Sequence, residues 1–161
     1  MTKLIPTFAS MLCDFRKQRR FIRQVLENDI REAAISNDGT LDNKDFKKIR
    51  HYYGFGVPAI VGENFCTLRG IKMLPAERMA STYQGALTGL YDDFFDKSNL
   101  SREQIIKMMH EPESYRVKTS LEKLFINFLL KVHKNTPDLN LLNTAFDNVF
   151  EAQTGSLSQQ G

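Results

Sequence analysis

Apolar residues recur at intervals of three and four positions along almost the whole of this 161-residue chain. No segment shows the sustained alternation of polar and apolar residues that is typical of a half-buried β strand, so the period predicts helices throughout. The length suits one domain, and a chain of this size can form a core without metal ions or disulfides. We therefore expect a single all-α domain over residues 1–161, built as an antiparallel helical bundle.

Turn residues, caps and prolines divide the chain into helices. We expect a first helix over residues 14–35 and a second over residues 43–69, interrupted by glycine and proline at residues 54–58. Four more helices are expected, over residues 76–97, 101–112, 114–134 and 138–153. Ser101 and Gln104 have the spacing of a capping box that opens the second of these.

The sequence shows no signal for a membrane or for export. No run approaches the ~18 consecutive apolar residues of a spanning helix, and the N-terminus has no secretory cleavage site. We therefore expect a cytoplasmic protein without a transmembrane segment. Cys13 and Cys66 lack the paired spacing of a zinc or redox motif and are expected to be buried free thiols. The net charge of +3 is too small to indicate a nucleic-acid partner by itself.

Three aspartates, Asp92, Asp93 and Asp96, form the strongest chemical signal in the sequence. On a helix, Asp92 and Asp96 are one turn apart on the same face. Carboxylates placed in this way can bind Mg²⁺, which keeps several waters and completes its shell with phosphate oxygens of a substrate. Acids at the C-terminal end of a helix oppose the helix dipole, which favours a specific role over a solvated acidic end, the alternative interpretation.

Small residues lead up to these aspartates along the same helix face: Gly85, Thr88 and Gly89. A glycine inside a helix costs up to about 1 kcal/mol relative to alanine, so each one requires an explanation. One explanation is the close approach of a neighbouring helix. The other is a trough for an apolar tail whose charged head lies at the metal ions, with Tyr83 and Leu87 forming part of its wall.

The run from Tyr83 to Asp96, YQGALTGLYDDFFD, resembles the aspartate-rich DDxxD helix of class I isoprenoid synthases. This all-helical family includes trans-prenyltransferases and terpene cyclases. The resemblance implies the family's fold and a Mg²⁺-dependent enzyme that promotes the departure of diphosphate from an allylic prenyl diphosphate. Asp92 and Asp96 would be the catalytic metal ligands, and Asp93 would be a secondary ligand.

Lys47 and Arg50 resemble the KxxR element of prenyltransferases, which lies on an upstream helix and contacts diphosphate. The likeness implies that both residues bind diphosphate, and a solvated basic face is the alternative. Members of the family are longer and carry a second metal motif downstream, so this chain resembles their N-terminal half. We expect it to bind Mg²⁺ and diphosphate weakly, to pair with a second copy or with a missing C-terminal half, or to be inactive as written.

A second metal site is conceivable within the chain itself. Asn143, Asp147 and Glu151 have an i, i+4, i+8 spacing that resembles the oxygen ligands of the second metal motif of terpene cyclases, and they also form the natural polar face of the last helix.

Two functions of other classes stay open. The first is a helical interaction module without catalysis, in which the glycines serve packing and the aspartates are solvated. The second is a basic helical binder of nucleic acid or of an anionic surface. This binder would need four arginines on one exposed face near Lys47 and Arg50, namely Arg16, Arg19, Arg20 and Arg23.

Overall fold

The computed structural model describes the backbone of residues 4–97 and 100–157, and the side chains of residues 10–91, 94 and 100–151. These residues form helices joined by turns and loops, without a β strand, so the predicted all-α fold is confirmed. Within the same residues, no helix is both long enough and apolar enough to cross a membrane.

Two helices, α1 (Leu4–Gln24) and α2 (Leu26–Ile35), occupy the region where the sequence predicts one helix over residues 14–35. Between them, Val25 stays in the right-handed helical region, with ψ at −62°, but its φ of −118° departs from the usual helical value. The buried face nevertheless continues across the break from Ile22 to Leu26. The apolar period is therefore preserved while the helix is not, which is why the sequence pattern does not reveal the break.

A loop over residues 36–42 connects α2 to the next helical segment. Gly39 has a φ of +93°, a conformation that glycine adopts without strain. Asp42 then accepts hydrogen bonds from the amides of Lys44 and Asp45, and the Asp45 carboxylate accepts one from the Asp42 amide. This capping box fixes the start of the segment at Asn43.

Residues 43–68 follow one helical path, which we call the interrupted helix. Its α-helical parts are α3 (Asn43–Lys47), α4 (Gly54–Gly56) and α5 (Glu63–Leu68), and two π-helical turns, Lys48–Tyr53 and Val57–Gly62, lie between them. Pro58 belongs to the second π turn and has no amide hydrogen to donate. Its presence favours a local change in the backbone hydrogen-bond pattern of the helix. The interruption predicted at residues 54–58 is thus confirmed at Val57 and Pro58, whereas Gly54–Gly56 is α-helical and the earlier π turn, Lys48–Tyr53, was not predicted.

The central element is α6 (Pro75–Lys97), whose bounds agree with the predicted helix over residues 76–97. It packs extensively against α8 (Ser120–Asn135). The Tyr83 ring lies 5.4 Å from that of Phe128, and the Phe94 ring stacks on Phe125 at 4.1 Å. Because the numbers rise along α6 as they fall along α8, the two helices are antiparallel.

The remaining helices are α7 (Arg102–His110) and α9 (Leu139–Leu157). The predicted capping box of Ser101 and Gln104 opens α7 and is confirmed. The sequence predicts a helix start at residue 114, whereas α8 starts at Ser120. The intervening chain forms a single 3₁₀ turn at Pro112–Ser114 and then an extended stretch, and Thr119 caps α8 by accepting from the Glu122 amide.

The two cysteines differ in environment. Cys66 is buried and Cys13 is exposed, and both are free thiols. The expectation that both are buried is therefore wrong for Cys13, because this residue lies on the outer face of α1, away from buried Gln18 and Ile22.

Candidate functional site

The aspartate motif lies in the last turns of α6. The helix continues without a break from Pro75 to Lys97, so the backbone positions of Asp92 and Asp96 are one turn apart. The side chains of Asp92, Asp93 and Asp96 lie outside the described residues. Their carboxylates are the donor type that Mg²⁺ prefers, and the Mg²⁺ site at these three residues stays a prediction.

Gly85 and Gly89 bring α6 against the interrupted helix. A Cβ atom at Gly85 would overlap the carbonyl oxygen of Tyr53, and one at Gly89 would lie 3.1 Å from Cδ2 of the Tyr53 ring. The two glycines therefore allow the close approach of a neighbouring helix, which is the packing explanation that the sequence left open. The space above them is filled, so the trough predicted for a prenyl tail is closed in this conformation.

The other residues predicted for the prenyl-tail pocket lie in different surroundings. Tyr83 and Leu87 are buried in the core, whereas Thr88 is exposed and its hydroxyl donates to the Gln84 carbonyl at 2.9 Å. Two residues of helix correspond to a rotation of about 200°, so positions 83 and 87 cannot share a face with positions 85 and 89. The five residues therefore do not line a common trough.

The interrupted helix runs antiparallel to α6. Gly85 lies beside Tyr53 and Val57, and Gly89 lies beside Lys48 and Ile49. Residue numbers thus fall along the interrupted helix as they rise along α6. The turn of α6 that follows Gly89 is consequently directed toward α3.

The two predicted diphosphate ligands differ in their surroundings. Lys47 is exposed at the end of α3. The Arg50 guanidinium faces α2, where its Nε and Nη2 donate to the two carboxylate oxygens of Glu27 at 2.8 and 2.9 Å. This bidentate pair fixes the plane of the guanidinium and links the interrupted helix to α2.

A charged cluster that sequence reasoning missed joins α2, α6 and α8. Asp29 accepts hydrogen bonds from the Tyr83 hydroxyl at 2.7 Å, from the Asn127 amide at 3.2 Å and from Lys131 Nζ at 2.5 and 2.6 Å. Burial and the Asp29 carboxylate raise the pKa of the Tyr83 hydroxyl well above its usual range. No local motif identifies this cluster, because its members come from three helices.

A second buried polar cluster surrounds Gln18, which is completely buried on α1. Its side-chain amide donates to the Gly54 carbonyl and to the Thr82 hydroxyl, both at 2.9 Å. Its carbonyl oxygen accepts from Arg78 at 3.0 Å, and Arg78 in turn pairs with Glu63. The cluster ties α1 and α6 to Gly54, which directly follows the first π turn.

Of the three alternative metal ligands on α9, the two carboxylates have other partners, whereas Oδ1 of Asn143 is buried without a hydrogen-bond partner among the described residues. Asp147 lies 2.9 Å from His110 Nε2, and Glu151 lies 3.4 Å from Arg102 Nη2. Among the side chains from 10–91, 94 and 100–151, no three His, Cys, Asp or Glu residues form a group that could hold a metal ion. The two α9 carboxylates therefore contribute to the contact between α9 and α7.

The basic residues of α1 form an exposed face. Arg16, Arg19, Arg20 and Arg23 are all exposed, as the basic-binder hypothesis requires. Arg19 and Arg23 line one cavity together with Arg50, whereas Lys47 and Arg50 line a neighbouring one.

No protein-family model, curated protein or solved structure matches this chain. A functional assignment consequently depends on the residues themselves.

Proposed function

We propose that this protein is a class I isoprenoid synthase-like enzyme of the prenyltransferase or terpene cyclase type. Asp92 and Asp96 would bind Mg²⁺ with Asp93 as a secondary ligand, and an allylic prenyl diphosphate would be the substrate. Bound Mg²⁺ would supply Lewis-acid stabilisation of the negative charge that develops as diphosphate leaves. A cytoplasmic location is part of the same proposal.

One observation carries this proposal, namely the register between α6 and the interrupted helix. Gly89 lies beside Lys48 and Ile49, so the α6 turns that carry the aspartates extend toward α3. Lys44 and Lys47 are exposed on α3, and Lys47 lines a cavity beside α2. In the proposed complex, a diphosphate that reached these lysines would have part of its charge neutralised by them, in addition to the metal ions.

Arg50 would take part through Nη1, which the pair with Glu27 does not use. Its Nε and Nη2 donate to both carboxylate oxygens of Glu27. Contact of these two nitrogens with a diphosphate would require the exchange of Glu27 for phosphate oxygens. Lys47, which is exposed, needs no such exchange.

The prenyl tail also needs a binding place other than the α6 face that carries Gly85 and Gly89. The ring of Tyr53 lies against Gly89, and Tyr53 as a whole residue is 39% exposed. In the proposed complex the tail would contact this ring and the neighbouring apolar surface of the interrupted helix. Water would be excluded there only if a second copy or a C-terminal half covered that surface.

The experiment that tests the proposal is a calorimetric titration of geranyl diphosphate into the protein, with Mg²⁺ and with EDTA. We expect Mg²⁺ to add a binding step in the wild type that is absent in EDTA and absent in Asp92→Asn/Asp96→Asn. The matched control is Glu32→Gln/Glu111→Gln, which removes two exposed carboxylates elsewhere and should keep the Mg²⁺-dependent step. An equal Mg²⁺-dependent step in the aspartate variant, or none in folded wild-type protein, would overturn the proposal.

A non-catalytic interaction module is the second candidate function, and an exposed apolar surface favours it. Phe65 is 63% exposed and Leu68 is 82% exposed on α5, and other exposed apolar residues lie near them in sequence. These residues are Ile60, Val61, Ile71 and Leu74. Clustered apolar exposure is typical of contact surfaces. Light scattering of the wild type and of Phe65→Glu/Leu68→Glu tests it: a self-associating wild type and a monomeric variant would support the module.

A further inference from the structure

A second candidate binding site lies on the side of the interrupted helix that faces α1 and α2. Arg19 and Arg23, one turn apart on α1, line a cavity of about 430 Å³ together with Arg50 and His51. The contact with α6 is formed by other residues of the interrupted helix, Ile49 and Tyr53. This basic cleft is therefore distinct from the aspartate motif of α6.

The charges of the basic cleft are unbalanced. Arg19 and Arg23 are exposed, and neither guanidinium pairs with a carboxylate among the described side chains. Glu27, the one acid among the described residues that line the cavity, has both carboxylate oxygens engaged by Arg50. Glu27 thus fixes the orientation of Arg50, and the three arginines still exceed the single carboxylate.

The chemistry of the arginines indicates the ligand. A guanidinium is planar, permanently charged and presents paired N–H donors that match two phosphate oxygens. Arg50 is already held in one plane by Glu27, so less conformational entropy would be lost when it meets an anion. Three such groups around one cavity favour a ligand with more than one phosphate group.

The floor of the cleft is apolar. Ile22 is buried, and the Phe55 ring is half-buried and lies 5.4 Å from the Phe15 ring. An aromatic ring beside arginines can contact a planar or apolar group attached to the phosphates. The volume falls within the usual range of small-molecule sites, about 300–1,000 Å³.

We propose that the basic cleft binds a small ligand with two or more phosphate groups, held by Arg19, Arg23 and the pre-oriented Arg50. A group attached to the phosphates would lie over Phe55. The site uses no metal ion, and this separates it from the proposed Mg²⁺ site on α6.

The test is calorimetric titration of inorganic pyrophosphate and of ADP into the protein in the presence of EDTA. The cleft variant is Arg19→Gln/Arg23→Gln. The matched control is Arg69→Gln/Arg116→Gln, which removes two exposed arginines that do not line the cleft. We expect both probes to bind the wild type, the cleft variant to bind at least about tenfold more weakly, and the control to bind as the wild type does.

Several outcomes would overturn the proposal. These are the absence of binding by folded wild-type protein, equal binding by the cleft variant, and an equal loss in the control, which would show a response to net charge alone. Tighter binding of ADP than of pyrophosphate, removed by Phe55→Leu, would support the contact with Phe55. Asp92→Asn/Asp96→Asn should still bind pyrophosphate and ADP in EDTA. The test of the basic cleft is therefore independent of the test of the proposed Mg²⁺ site.

Discussion

Lys131 Nζ lies 2.5 and 2.6 Å from the two carboxylate oxygens of Asp29, an ion pair that joins α8 to α2. The same ammonium group lies 3.1 Å from the Tyr83 hydroxyl and 4.8 Å from the centre of the Tyr83 ring. The side chain of Asp29 is 11% exposed and that of Lys131 is 33% exposed. Removing either partner would leave the other charge partly buried and uncompensated.

We predict that Lys131→Met lowers the free energy of unfolding by about 2–3 kcal/mol, because Asp29 would lose its charged donor. Urea unfolding measures this change. Lys123→Met, which alters an exposed lysine on the same helix, should stay within about 0.5 kcal/mol of the wild type. Equal stability of the two variants would show that the Asp29 pair contributes nothing.

The two glycines of the α6 contact should respond differently to alanine. At Gly85 the new methyl would meet the Tyr53 backbone, which cannot move aside, so we expect a loss of about 1–3 kcal/mol. At Gly89 it would meet the edge of the Tyr53 ring, which can shift, and the helix gains up to about 1 kcal/mol. Gly89→Ala should therefore be close to neutral. A Gly85→Ala variant as stable as the wild type would contradict the close helix contact.

Gln18→Leu should destabilise the protein by about 2–3 kcal/mol. The substitution removes the donor to the Gly54 carbonyl and to Thr82, and it removes one of the two acceptors of the largely buried Arg78, which keeps Glu63. Thermal or urea unfolding gives the size of the loss. The comparison is Gln24→Leu on the exposed side of α1, and similar losses in both would refute the role of the buried cluster.

The stability of the protein should fall in mild acid because of His133. Burial lowers the pKa of His133, with a smaller contribution from His110, whereas the Met109 carbonyl and Glu113 favour the protonated form. The unfolded chain therefore binds a proton below about pH 6.5 while the folded chain does not, and stability decreases as the pH falls from there toward the folded pKa. Urea unfolding at pH 8 to 5 should show a smaller decrease for His133→Leu. Parallel curves would contradict this contribution.

The sequence predicts those parts of the fold that local chemistry specifies. The bounds of α6 and the capping box at Ser101 follow from residues within a few positions of each other. The break at Val25 does not, because the apolar face continues across it. The late start of α8 depends on an extended stretch after Pro112 that has no strong strand or turn signal of its own.

The candidate site residues also divide into those that local sequence reveals and those that only the fold brings together. The aspartate motif is visible in the sequence because its members are contiguous. The Asp29–Lys131 pair is not, since 102 positions separate its partners. The sequence predicted a basic face on α1, but only folding brings Arg19 and Arg23 to the same cavity as Arg50. Contacts between distant segments depend on how whole helices pack against each other. A local sequence pattern does not show this packing.

The two π-helical turns make the length of the interrupted helix matter as much as its composition. A π turn contains one residue more than the α turn it replaces, and each residue rotates a helix by about 100°. Deleting one residue from Lys48–Tyr53 would turn Gly54 away from Leu26 and Ala86, its present neighbours, and would rotate every later position of the helix with it. Single-residue insertions and deletions, which surface loops accept, should therefore be poorly tolerated between positions 48 and 62.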